Sequence, residues 1–176
     1  MSPDTLELTR PPRPPRRLTL AIGLFEGLIE VQSALRDLSN HGFGLERVRL
    51  VASTESNTFD QFGRAPGEGR GFYRIDTAPD VDPADCIQEI LQEAVPLPRT
   101  GLLAGIPSPP ASLAAFAMSG LERQAHNLKQ HLTAGGGIVI VRVDDASEQQ
   151  AVCSMLLHYA SRGVQTHQLR IDEDAA

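Results

Sequence analysis

Three consecutive glycines, an apolar run and two aspartates make up HLTAGGGIVIVRVDD, residues 131–145. Two kinds of chemistry use such residues. Glycines between a strand and a helix let backbone N–H groups wrap a phosphate, with the helix N-terminus behind the anion. Adjacent carboxylates, here Asp144 and Asp145, hold a divalent cation when further oxygen ligands join them. The order along the chain opposes the first reading. Gly135, Gly136 and Gly137 follow a helical pattern and precede a strand pattern, and no Lys-Ser or Lys-Thr pair comes after them. They read as a helix terminator. Asp145-Ala146-Ser147-Glu148 has the spacing of a capping box, so the aspartates read as the entry to a helix. No metal site, no cofactor and no catalytic residue is assigned.

Two other places could hold a small ligand. Glu26 and Gly27, in FEGLIE (25–30), mark a strand-to-helix joint, where two-layer regulatory domains hold effectors; ordinary turn chemistry is the other reading. In GRAPGEGRGF (63–72), Arg64, Arg70 and backbone amides either wrap an anion or belong to a plain loop. Glu26, Gly27, Arg64 and Arg70 are therefore the candidate ligand residues. The histidines suggest nothing comparable. His126 and His131 are five apart and do not share a helix face, and His41, His158 and His167 have no ligand spacing. MSGLE (118–122) is a poor match to a nucleophile elbow. Cys86 and Cys153 form no C-x-x-C motif, and Cys153, in AVCSMLLHY, reads as a small buried residue.

The elements that must position these residues fall into two groups. LTLAIGLF (18–25) alternates, with Leu18, Leu20, Ile22 and Leu24 on one face. From Gly27 to Asn40 the period changes: Leu28, Val31, Leu35 and Leu38 make a helical stripe, which Gly42 stops. ERVRLVAS then places Val48, Leu50 and Ala52 on one strand face. This is a βαβ unit. Leu121, Ala125, Leu128 and Leu132 mark a further helix. GIVIVRV (137–143) reads as a central strand covered on at least one face. Val152, Met155, Leu156 and Tyr159 mark the next helix, ended by Gly163, and VQTHQLRI returns as a strand. That is the second unit. Between the units lies an insert, 53–110, with a short strand expected over 71–76 and a helix over 82–94.

Composition bounds the rest. With 176 residues, 41% hydrophobic and 22% charged, the chain suits one compact domain over 18–171. Trp is absent, so Leu, Ile, Val and Ala carry the core. A net charge of −6 argues against nucleic acid as a partner. No run reaches the roughly 18 apolar residues of a membrane span. The start lacks the apolar core of a signal peptide, which makes a cytoplasmic setting the expectation. Residues 1–17, with PPRPP, read as a flexible Pro/Arg-rich tail, and 172–176 as an acidic one.

LFEGLIEVQSALRDLSNHGFGLERVRLVA, followed by GLERQAHNLKQHLTAGGGIVIVRVDDASEQQAVCSMLLHYASRGV, resembles the bacterial heat-induced general stress protein domain. The resemblance covers residues 18–52 and 120–170 and rests on structural motifs; the insert here is longer and more polar. It implies an α+β, ferredoxin-like two-layer sandwich and a link to stress, with no catalytic residues to carry over. Two βαβ units would form one four-stranded antiparallel sheet with helices on one face. The open face or an edge would then bind another copy or a protein partner. The alternative is a sensor of a nucleotide, amino acid or anion, similar to the ACT and PII-like groups.

Overall fold

The structure is a computed structural model, and it describes residues 16–44, 46–63, 71–83, 85 and 124–171. Five strands are present among the described residues: β1 (Arg16–Phe25), β2 (Val48–Ser53), β3 (Phe72–Ile75), β4 (Gly137–Val143) and β5 (Val164–Ile171). The helices are α1 (Leu28–Asn40), α2 (124–133) and α3 (Ala146–Tyr159), with a 3-10 turn at Asp60–Gly63. Of the helix expected over 82–94, residue 82 is not helical, residues 83 and 85 are, and 84 and 86–94 lie outside the described residues.

The α+β class holds, and residues 18–52 share one sheet with the C-terminal segment. β1 runs antiparallel to β4 and to β5, and β2 antiparallel to β4. The two units therefore interleave, each placing a strand between the other's two. Strand count and order depart from the four-stranded antiparallel expectation. The order is β3-β2-β4-β1-β5, and β3, from within the insert, lies parallel to β2 at one edge. Parallel pairing needs a crossover of a dozen or more residues, and residues 54–71 supply it.

The helices also depart from a single-face arrangement. Val31, Ala34 and Leu38 of α1 pack with Val152 and Leu156 of α3 against Ala21, Phe25, Val139 and Val141. Ala125, Leu128 and Leu132 of α2 pack on the opposite face, against Leu20, Ile22, Ile138 and Ile140. The cause is in the strands. β4 is apolar at every position but one and β1 at most of them, so both faces need cover. α3 ends at Tyr159 with Ala160 as its cap, so Gly163 belongs to the turn before β5 and not to the helix end.

Candidate functional site

The glycine run closes α2. Gly136 N–H donates to the His131 carbonyl (3.0 Å) and Gly135 N–H to that of Leu132 (2.9 Å). This is a Schellman pair, with Gly135 at φ +86°, where a Cβ is costly. The next two glycines answer to their neighbours. A Cβ on Gly136 would overlap the His131 ring, and one on Gly137 would stand 2.8 Å from the Phe59 ring. His131 Nε2 lies 2.9 Å from the Phe25 carbonyl oxygen and 3.2 Å from that of Gly137. Both are acceptors, so Nε2 carries the proton and donates to the paired ends of β1 and β4. The run thus admits an imidazole that fastens helix to sheet.

Asp144 and Asp145 serve α3. Asp145 Oδ1 accepts from Glu148 N–H (2.8 Å) and from the Ser147 hydroxyl (2.7 Å), and Glu148 Oε2 accepts from Asp144 N–H (2.9 Å). Arg47 joins this cap from the loop before β2. Its guanidinium donates to both Glu148 oxygens, one bond being 3.1 Å, and lies 3.6 Å from Asp144. Arg47 Nε donates to the Arg142 carbonyl (3.1 Å), and the guanidinium stacks 4.9 Å from the Phe43 ring centre. The Arg47 fork, with the Asp144 N–H, holds the Glu148 carboxyl below its ordinary range; Glu148 in turn holds Arg47 high. The carboxylate a cation would need is already neutralised. Among the described residues no group of three His, Cys, Asp or Glu is placed to hold a metal ion.

Glu26 and Gly27 stand where β1 meets α1. Glu26 is exposed; its N–H donates to Ser161 Oγ (3.0 Å) and its carboxylate accepts from Arg162 Nε. Gly27 is the N-cap and has no side-chain cap bond. The Glu30 carboxylate folds back over Gly27, where it faces the positive end of its own helix. An incoming anion would meet both Glu26 and Glu30, whereas a neutral or cationic group would not. Arg64 and Arg70 lie outside the described residues.

A cleft of about 620 Å³ opens between α2 and the segment after β3, lined by Thr77, Pro79, Val81 and Pro83 on one side and by His126, Lys129, Gln130, Thr133 and Ala134 on the other. Lys129, the chain's only lysine, donates to the carbonyls of Ala78 (2.8 Å) and Val81, which pins that segment to the helix. His126 contacts Gln130 at 2.9 Å, and Thr77 is buried against Ser53 (2.7 Å). The remaining histidines are scattered: His41 contacts the Asp37 carbonyl (2.8 Å), His158 packs on Tyr159, and burial pushes half-buried His167 below its ordinary pKa. Comparison of the chain with family models, with curated proteins and with solved structures finds no match.

Arg47, His131 and Lys129 were missed as fasteners. Their partners lie 101, 106 and up to 51 residues away, beyond the reach of any local pattern. Only the uniqueness of Lys129 offered a signal.

Proposed function

We propose that the protein is a non-enzymatic, stress-related or regulatory protein that acts by associating through the free edge of its sheet. The observation that carries this reading is β5. Its eight residues pair with β1 on one side, and among the described residues no strand pairs with the other. Leu24 N–H donates to the Gly163 carbonyl (3.2 Å), and the Leu24 carbonyl accepts from Arg162 N–H (3.3 Å). Antiparallel alternation from that point turns Gln165 and His167 toward β1, and turns the N–H and C=O groups of Val164, Thr166 and Gln168 outward. Natural edges are shielded by shortness, lysine, proline or inward charge. β3, at the other edge, is four residues long and carries Arg74, whereas Val164–Gln168 has no such guard. The stress link rests on the sequence resemblance.

Amide hydrogen exchange on the full, isotope-labelled chain tests the reading. A used edge shows the amides of Val164, Thr166 and Gln168 slowing as protein concentration rises or when unlabelled cell extract is added. Exchange as fast as in loops under both conditions refutes it.

The ligand-sensor reading is favoured by one observation, the cleft beside Lys129. It predicts that a nucleotide, amino acid or anion raises the melting temperature, since a ligand of the native state stabilises by mass action. A broad metabolite screen with no shift counts against it.

A further inference from the structure

We propose that β5 and the flank of α3 form a twofold interface with a second copy of this chain, β5 lying antiparallel to β5. The inference rests on the reading that this edge is used, and it names the partner.

Charge is the first ground. Between Gln149 and Leu169, 21 residues, the only formal charge at pH 7 is Arg162, and it is paired with Glu26. At the chain's 22% charged residues, about four or five would be expected. Interface cores are depleted of charge in this way, while solvated helices are not. α1 shows the contrast, carrying Glu30, Arg36 and Asp37 within 13 residues.

The second ground is that α3 is apolar on more than one side. Val152 and Leu156 face the core, and Tyr159 reaches toward α1, its hydroxyl donating to Asp37 (2.6 Å). On the flank away from α1, Cys153, Leu157 and Ala160 follow helical spacing, and the apolar line continues to Val164 at the start of β5. Cys153, Ala160 and Val164 are half-buried, and Leu157 is 60% exposed. A helix apolar beyond its core stripe has a second surface to cover.

Self-pairing answers both. A twofold axis normal to the sheet sets the outward groups of Val164, Thr166 and Gln168 against their own copies. It also leaves both α3 helices on one side of the joined sheet, their apolar flanks facing across the seam. The described β5 side chains, those of Val164–Gln168, carry no formal charge, so none of like sign meet among them. An eight-residue strand is roughly 27 Å long, and sheet plus helix layer is about 20 Å deep. That is a face on the order of 500 Å² in projection, of the scale at which each partner of a standard interface buries about 800 Å² of accessible surface. A foreign strand would satisfy the backbone groups but would leave the α3 flank without its match.

Sedimentation velocity on the full chain, from low to high micromolar, tests the proposal. The wild type is expected to be a dimer. Thr166→Pro removes an outward N–H and no internal bond, and Leu157→Lys places a charge on the flank. Each should weaken dimerisation at least about tenfold, the effect of losing one interface anchor. Ile29→Lys, at a site 75% exposed on α1, should change nothing. Thr166→Lys serves if the proline variant loses its circular dichroism spectrum. A wild-type dimer indifferent to the Thr166 and Leu157 variants overturns this interface and leaves association standing. A monomer whose outward β5 amides are protected only in cell extract overturns the second copy and keeps the edge. A monomer with open amides in both settings overturns both.

Discussion

Gly136→Ala should destabilise the fold only through His131, and a double-mutant cycle can show it. The backbone at Gly136 is not left-handed, so the new methyl is opposed by sterics alone, and the three nearest atoms all belong to the His131 ring. Displacing that ring forfeits its bonds to the Phe25 and Gly137 carbonyls. A typical hydrogen bond contributes about 0.5–1.5 kcal/mol, and half-buried ring packing is lost as well, so a cost of about 1–2 kcal/mol is expected. In a chain of this size that lowers Tm by roughly 2–8 °C. His131→Ala alone should cost a similar amount. In the His131→Ala background the three nearest obstacles to the methyl are gone, and Gly136→Ala should be neutral, or stabilising by up to about 1 kcal/mol through the unfolded chain. Urea denaturation of the four proteins reads a coupling of about 1–2 kcal/mol. Gly135→Ala is the control. Its φ of +86° is independent of His131, so a cost of about 1–2 kcal/mol should persist in both backgrounds. Additivity of Gly136→Ala and His131→Ala within about 0.3 kcal/mol would refute the fastener account.

Gly137→Ala should overpack the buried Phe59 ring and cost about 1–3 kcal/mol, measured as a lower urea midpoint with unchanged slope. The folded Glu148 carboxyl lies below its ordinary 4.5, so its contribution is complete above that pH and is lost as pH falls through the folded value. Glu148→Gln should therefore flatten the acid limb of stability against pH. Folded His167 lies below its ordinary 6.5 through burial, so stability should begin to fall as pH drops below 6.5; His167→Gln should remove that upper step while leaving the lower one. Asp145→Ala should unlock the first turn of α3, seen as faster amide exchange at Ser147 and Glu148.

Local order is what the residue sequence determined by itself. The alternation of Leu18, Leu20, Ile22 and Leu24, the stripes of α1 and α3, the Gly42 and Gly135 terminators and the Asp145–Glu148 cap involve partners within five residues. At that range chain geometry alone decides who meets whom. Tertiary structure decided the rest: that β3 joins β2 in parallel, that α2 crosses to the other face, that His131 reaches Phe25, and that Glu148 meets Arg47. A periodic pattern states that a face must be buried, but many partners could bury it. The selection comes from summed packing and pairing between distant segments, which no local window contains. The candidate ligand residues show the same division: Glu26 and Gly27 were placed correctly at a strand-to-helix joint, yet the carboxylate of Glu30 and the guanidinium of Arg162 beside them emerge only when α1 and the turn before β5 converge.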